Sequence, residues 1–269
     1  MSFLTHEENG LVWLTSPLLS GVRHGFSTRQ GGVSQPPFDT MNLAPGRGDD
    51  PSAVQENYRR FCGALGMDPV RTVLSKQVHE ATVRLCTAGD AGKGLLSPRD
   101  YTADALITRA AELPLVVFSA DCGIILLYDP VEHAIGAVHA GWRGCAAGIL
   151  EKTVQAMTAS FGSRPENLVA AIGPCIQQCC FETDDDVPAA MTAALGTDAA
   201  PYLARQGAKW HVDLSGLNRQ WLLRAGLSPA HIDRCPLCTA CRLDLFWSHR
   251  KMGQARGAQV AMISLDKEH

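Results

Sequence analysis

The sequence predicts an α/β fold: a single compact domain of mixed β-sheets layered with helices. Short apolar runs rich in β-branched residues, each bounded by turn residues, predict strands. After Gly144, apolar residues recur at spacings of three and four, which is typical of an amphipathic helix. These two patterns alternate along the whole chain, and no Pro/Gly/Ser-rich linker divides it. We therefore expect residues 1–269 to form one domain.

The predicted elements start after a turn-rich N-terminal segment. Asp50-Pro51 favours a helix start, with Asp as N-cap and Pro in the first turn, and this helix is expected to end near Gly63. A second helix follows Gly144, and a third is expected at 214–225, before Gly226. The predicted strands comprise residues 73–78, 81–85, 105–108, 115–119, 124–128, 135–138, 168–172 and 260–265.

The composition excludes several classes of function. A hydrophobic content of 46% and a charged content of 19% are typical of a globular protein with a large core. The net charge is −3 and no block of Lys or Arg occurs, which argues against a nucleic-acid binder. The N-terminus does not resemble a secretory signal, and no apolar run is long enough to span a membrane. We expect a cytoplasmic protein whose ten cysteines are mostly reduced thiols in the core.

Three motifs at the ends of predicted strands carry groups that can bind a metal. Asp121-Cys122 joins two apolar strands, His139 ends another strand, and His79 follows the strand-like run at 73–78. Two imidazoles and one thiolate with an open fourth position are typical of catalytic zinc. The three residues lie too far apart in the chain for a zinc finger, so spacing alone leaves a structural role for each of them open.

The segment after His139 suggests an anion site. Gly141 to Gly144 lead into the second predicted helix, whose first backbone N–H groups suit an anion, and Arg143 adds a guanidinium suited to phosphate. The alternative is that Arg143 pairs with a carboxylate, such as Asp121 or Glu182, and only braces the turn.

Taken together, the motifs resemble the YfiH-like laccase-domain family, also called the multicopper polyphenol oxidase domain family. The resemblance covers essentially the whole chain in order, and its most specific block runs from His139 to Gly144. The remaining matching segments are Gly31-Gly32-Val33-Ser34, Asn42-Leu43, Gln77-Val78-His79, Asp104-Ala105-Leu106, Ala120-Asp121-Cys122, Ile172-Gly173-Pro174, Phe181-Glu182 and the stretch from Cys238-Thr239 to Arg250.

This resemblance implies a zinc ion held by His79, Cys122 and His139, with copper able to bind the same ligands in vitro. It also implies a purine nucleoside phosphorylase. Its substrates would be adenosine, inosine, guanosine or methylthioadenosine together with phosphate, and its products the free base and a ribose 1-phosphate. Adenosine deamination is implied as a side activity. In the matching motifs we expect substrate or phosphate to be bound by Arg143, Asn42, Gln77 and Asp121.

Members of this family are also labelled laccases and peptidoglycan editing factors, so other functions stay open. A copper-dependent polyphenol oxidase needs many imidazoles, yet none of the nine His residues lie two positions apart. A cysteine hydrolase could use Cys122 as nucleophile with His139 or His79 as base, which would exclude zinc at the same sulfur. A non-catalytic interaction protein is the third alternative. The preferred base, the physiological metal and the oligomeric state are not predicted.

Two further segments have no predicted role in the reaction. Arg47-Gly48-Asp49 is interpreted as a chance tripeptide. Cys235, Cys238 and Cys241 have a metal-like spacing, but no fourth ligand is evident, although Cys175, Cys179 or Cys180 could fold beside them. We therefore predict that these three thiols do not form a second obligatory metal site.

Overall fold

Two six-stranded sheets form the centre of the structure, a computed structural model that describes residues 3–267. The described strands, numbered along the chain, are β1 (Leu4–Glu8), β2 (Leu11–Thr15), β3 (Arg23–Ser27), β4 (Val73–Leu74), β5 (Val83–Leu85), β6 (Ala105–Thr108), β7 (Leu115–Ser119), β8 (Gly123–Asp129), β9 (Ala134–Ala140), β10 (Val169–Ile172), β11 (Glu182–Thr183), β12 (Leu203–Gln206), β13 (Lys209–Val212), β14 (Ile232–Arg234) and β15 (Gln259–Ser264). The described helices are α1 (Pro51–Ala64), α2 (Trp142–Ala146), α3 (Ile149–Phe161), α4 (Asp186–Leu195), α5 (Leu214–Arg224) and α6 (His249–Met252).

Both large sheets are mixed. The first has the strand order β1-β2-β3-β15-β7-β4 and the second β14-β10-β8-β9-β6-β5, while β11, β13 and β12 form a small third sheet. Most neighbours are antiparallel, and β4–β7, β5–β6 and β10–β14 are parallel. The mixed α/β architecture expected from the sequence is therefore confirmed.

Alternation along the strands builds a layered core. In β8, Ile124 and Leu126 pack between the two large sheets, whereas Ile125 and Leu127 pack on the opposite face against α3 and α5. Successive strand residues point to opposite faces, so a strand covered on both faces reads as a continuous apolar run. On the outer face of the first sheet, α1 packs Tyr58 and other apolar residues. The order of layers is thus α1, first sheet, second sheet, and the remaining long helices.

The pairing of β8 with β9 brings two of the predicted motifs together. Gly123 lies opposite Ala140 and Ile124 opposite His139 in this antiparallel pair. Cys122 and Gly141 therefore flank the same end of the pair, at the entrance to α2. The register of one hairpin thus accounts for the approach of residues 17 positions apart in the chain.

Most of the predicted helices and strands are present in the structure, with the following exceptions. The strand expected at 73–78 ends at Leu74 because the Gln77 side chain, rather than a backbone group, bonds the Phe118 backbone. The structure adds β1 to β3, α4, α6 and β11 to β14, which were not predicted from the sequence. The single helix expected after Gly144 is instead two helices, α2 and α3, because Gly148 between them adopts a left-handed conformation. Asp50 does cap α1, accepting a hydrogen bond from the Ser52 backbone N–H. Within residues 3–267, no helix combines the length and apolarity needed to cross a bilayer.

Candidate metal centre and substrate cavity

The three predicted ligands converge in space. The metal-binding atoms of His79, Cys122 and His139 lie within 4.8 Å of one another. Cys122 precedes β8, His139 is on β9, and His79 comes from the loop between β4 and β5. The two imidazole rings meet edge to face, with centroids 4.9 Å apart. One sulfur and two ring nitrogens at this spacing fit a single metal ion with three protein ligands.

A buried carboxylate, Asp104, holds two of these ligands in place. Its Oδ1 accepts from the His139 ring at Nδ1 (2.8 Å) and from the His79 backbone N–H (3.0 Å). Its Oδ2 accepts from the backbone N–H groups of Val78 (3.1 Å) and Glu80 (3.0 Å). Because Nδ1 of His139 is engaged, Nε2 is the nitrogen free for a metal. A carboxylate behind a ligating imidazole is the usual arrangement in zinc sites.

The backbone at the ligands is strained. His79 has φ 63° and Asp121, next to Cys122, has φ 89°, both in the left-handed region. Such a conformation costs a non-glycine residue about 1–3 kcal/mol. Gly141 leaves the space that this geometry needs, because a Cβ there would lie 2.9 Å from the Cys122 sulfur and 3.4 Å from the His79 ring. These residues therefore hold the ligands close together at a local cost in energy.

The electrostatics favour a thiolate. Burial raises the pKa of Cys122, but the imidazoles of His139 and His79 lower it more, to about 6. Burial lowers the pKa of His139, but the Cys122 sulfur and the Asp104 carboxylate raise it more, to about 9. Without a metal, both shifts favour a thiolate beside an imidazolium. A metal ion would take the place of that proton.

A cavity of about 460 Å³ opens beside the ligands. All three predicted ligands line it, and so do five further basic side chains: Arg47, Lys76, Arg99, His249 and Arg256. Among the residues that the structure describes, no Asp or Glu lines this cavity. The other lining residues are apolar or neutral: Ala44, Pro45, Ser75, Gln77, Phe118, Ser119, Ala120, Gln254 and Ala258. A cavity with cations and no carboxylates suits an anionic ligand.

Two of these arginines approach each other. The Arg47 Nε donates to the Arg256 carbonyl (3.4 Å), and the Arg256 Nε is buried without a hydrogen-bond partner. Burial, followed by the charge of Arg47, lowers the pKa of Arg256 to about 10. Two like charges in one cavity favour an anion between them. Arg47 belongs to the tripeptide that is interpreted from the sequence as a chance match, and no local pattern marks Arg256.

The structure shows bracing contacts for three residues predicted to bind substrate. Gln77 lines the cavity, but its amide donates to the Phe118 carbonyl and accepts from the Phe118 N–H. Asn42 is fully buried and bonds the Asp49 carboxylate together with the N–H groups of Ala44 and Ala258.

The carboxylate of Asp121 is engaged in the same way. It accepts from the Thr239 and Ser248 hydroxyls and from the Arg250 backbone N–H. Asn42 and Asp121 do not line the cavity themselves, so their contacts brace the segments beside it.

Arg143 lies apart from the cavity. It is exposed, its guanidinium carbon is 4.2 Å from the centroid of the Trp142 ring, and it is not among the residues that line the cavity. Within residues 3–267, it makes no ion pair with Asp121 or Glu182, the two partners considered for a bracing role. The structure thus brings together His79, Cys122, His139 and Gln77 at the cavity, whereas Arg143 stays outside.

Comparison with known proteins identifies the family of this chain. A family model described as multi-copper polyphenol oxidoreductase laccase matches residues 23–266. A Geobacillus stearothermophilus protein named purine nucleoside phosphorylase YlmD is 32% identical over 268 residues, 97% of each chain. A Deinococcus radiodurans protein named purine nucleoside phosphorylase is 36% identical over 259 residues, 96% of this chain and 94% of the relative. The crystal structure of the Bacillus licheniformis hypothetical protein YfiH matches with a TM-score of 0.92 at 30% identity, covering 97% of this chain and 99% of that one. The chain belongs to the multi-copper polyphenol oxidoreductase laccase family, the YfiH-like family that its motifs resemble.

Proposed function

We propose that this protein is a zinc-dependent purine nucleoside phosphorylase in which residues 1–269 act as one catalytic domain. The proposal rests on one observation: His79, Cys122 and His139 lie together in the wall of a cavity that is lined by basic side chains. Among the described residues, no Asp or Glu lines it. The names of the relatives support the same activity. The proposal includes a cytoplasmic location, where thiol ligands stay reduced.

The donor set fits zinc. Two imidazoles, one thiolate and a carboxylate behind one imidazole are the ligands and the supporting group that catalytic zinc commonly has. When bound, the metal would supply a Lewis acid at the cavity wall. Copper(II) binds such ligands more tightly than zinc in vitro. We expect zinc to be the physiological metal.

The cationic side chains would bind and orient phosphate. Arg47 and Arg256 offer guanidinium groups to its oxygens. In phosphorolysis a phosphate oxygen forms a bond to C1′ while the bond from C1′ to the purine nitrogen breaks. The electron pair of that bond leaves with the base, which then takes up a proton. Phe118, half-buried in the wall, offers an aromatic face to the purine.

We expect adenosine, inosine, guanosine and methylthioadenosine to be accepted, since one amide in the wall that could select among the bases is already engaged. Gln77, the amide nearest the ligands in sequence, is already bonded to the Phe118 backbone. Adenosine deamination is proposed as a side activity of the same centre, because it needs water in place of phosphate.

A cysteine hydrolase is the second candidate, since a thiolate beside an imidazolium is the pair that such enzymes use. A multicopper oxidase is less well supported, because the residues that the structure describes contain one ligand group with histidine. Nucleosides and phosphate are the proposed partners, without nucleic acid or membrane.

The decisive experiment incubates the zinc-loaded protein with adenosine, with and without phosphate, and identifies the products. Adenine and ribose 1-phosphate formed only with phosphate are the expected result. Inosine alone would reduce the proposal to a deaminase. A thiol-dependent hydrolysis that persists after zinc removal would replace it with the cysteine hydrolase.

Phosphate binding is tested by comparing Arg256→Gln with Arg143→Lys. Arg256→Gln removes a cation from the cavity, whereas Arg143→Lys changes an exposed side chain outside it. The sequence-based prediction assigns phosphate to Arg143, and the cavity favours Arg256. A rise in the KM for phosphate in only one of the two variants decides between them.

A further inference from the structure

Four cysteine sulfurs form a second cluster away from the cavity. Sγ of Cys179 lies 3.8 Å from that of Cys180 and 3.7 Å from that of Cys241, and Sγ of Cys180 lies 3.4 Å from that of Cys241. Cys238 completes the group, with all four sulfurs within 4.8 Å of one another. None of the four belongs to the site described above.

Two tight turns present these thiols to one another. In the first, the N–H of Cys180 donates to the Gln177 carbonyl at 2.9 Å. In the second, the N–H of Cys241 donates to the Cys238 carbonyl at 3.2 Å. The Gln177 backbone N–H points to the Cys238 sulfur at 3.4 Å and links the turns. A backbone donor directed at a sulfur stabilises a thiolate.

The spacing of the sulfurs identifies the kind of site. Tetrahedral zinc with bonds of about 2.3 Å to sulfur sets its ligands roughly 3.8 Å apart, close to the separations seen here. A disulfide would need about 2.05 Å. In a four-iron cluster each cysteine binds a different iron, which requires a wider set of sulfurs. We propose that Cys179, Cys180, Cys238 and Cys241 bind a second, structural zinc ion.

This site would brace the catalytic one. It joins the turn at Cys179-Cys180 to the segment that follows Cys238, and Thr239 in that segment donates to the Asp121 carboxylate at 2.6 Å. Arg250 bonds the same carboxylate through its backbone and the Cys180 carbonyl through its guanidinium (3.1 Å). Asp121 directly precedes the ligand Cys122. A metal at the four thiols therefore fixes the groups that hold the strained Asp121 turn.

The proposal reverses the interpretation of this segment made from the sequence. That prediction rested on the lack of a fourth ligand for Cys235, Cys238 and Cys241. The structure supplies sulfurs from Cys179 and Cys180 and leaves Cys235 buried outside the cluster. The two turns lie more than 50 residues apart in the chain, so the spacing of the motif left Cys179 and Cys180 only as candidates together with Cys175.

The test counts and characterises zinc in the intact protein and needs no nucleoside, so it is independent of the proposed function. We expect about two zinc ions per chain in the wild type and about one in each of Cys122→Ala and Cys241→Ser. Cys235→Ala is the matched control and should keep both. X-ray absorption of the zinc in Cys122→Ala should show a shell of sulfur ligands alone, at about 2.3 Å. Cys241→Ser should also unfold at a lower temperature than Cys235→Ala.

Three results would overturn the proposal. The first is one zinc per chain in the wild type with all four thiols open to alkylation. The second is a disulfide within the group in protein prepared without oxidant. The third is iron in place of zinc at the four sulfurs. If Cys241→Ser does not fold, the absorption measurement on Cys122→Ala and the exposed variant Cys179→Ser decide the question.

Discussion

Asp104 does not bind the metal itself, so its role in holding His139 and His79 in place can be tested by measuring the affinity for zinc. Asp104→Asn keeps the size of the side chain and removes its charge. In the structure, four donors face the carboxylate, two at each oxygen: three backbone N–H groups of residues 78–80 and the His139 ring. The amide offers one oxygen, so two of the four donors lose their acceptor and the His139 ring loses a charged partner.

The size of the effect follows from these contacts. Loss of the group behind a ligating imidazole typically weakens metal binding 10–100-fold, which is about 1.4–2.7 kcal/mol. Each buried donor left without an acceptor costs about 1–3 kcal/mol, so two donors lower the free energy of unfolding by about 2–6 kcal/mol. The substitution should therefore weaken zinc binding and destabilise the fold together.

The assay is a competition titration of zinc against a chromophoric chelator, with chemical unfolding measured in parallel. Asp90→Asn is the matched control, because Asp90 is also buried and accepts from a backbone N–H while pairing with Arg84 and Lys93, away from the cavity. The Asp90→Asn variant should have a lower free energy of unfolding and an unchanged Kd for zinc. An unchanged Kd in Asp104→Asn, or an equal shift in both variants, would refute the role assigned to Asp104.

Four further outcomes are expected. Cys122→Ala should lose most of the zinc at the catalytic site and most of the activity, since the thiolate is both ligand and charge neutraliser; full zinc occupancy with normal turnover would contradict this. Arg256→Gln should raise the KM for phosphate more than that for nucleoside, and Arg143→Lys tests the competing prediction, with equal losses in both steady-state constants indicating a structural effect. Gly141→Ala should weaken zinc binding, because its methyl group would lie 2.9 Å from the Cys122 sulfur; an unaltered Kd speaks against the tight approach. Burial raises the pKa of Asp90, but a backbone N–H and two cations lower it more, to about 2. Its contribution should be complete above about pH 4 and decline as the pH falls towards 2. Acid unfolding of Asp90→Asn against wild type measures this.

The part of the site that the sequence predicted lies at the ends of buried strands. Cys122 and His139 adjoin apolar runs that can be placed as strands from their β-branched residues and bounding turns, and β8 and β9 follow one another closely in the chain. Neighbouring strands of this kind commonly pair, and the register of their hairpin then brings the two residues together. The position of His79 does not follow from strand pairing, because His79 comes after a strand that ends early at Leu74.

The part that was missed comes from segments without periodicity. Arg47 and Arg256 reach the cavity from loops, and the loop that carries Arg47 follows Asn42, whose bonds to Asp49 and to the Ala258 N–H position it. No local pattern encodes such contacts, since they depend on the folded arrangement of distant segments. The same holds for the four-cysteine cluster, whose two turns meet only in the folded chain.

Asp104 and Asp121 have a common task that explains why both acids are buried. His79 and Asp121 adopt left-handed backbone conformations, each costing about 1–3 kcal/mol. Asp104 accepts three backbone N–H bonds around His79, and the Asp121 carboxylate accepts from two hydroxyls and one N–H. Hydrogen bonds to charged groups contribute about 1.5–3 kcal/mol each, so three of them outweigh the strain at either position. The ligands are thus held in place by the protein itself, and a metal ion would bind a site that is already formed.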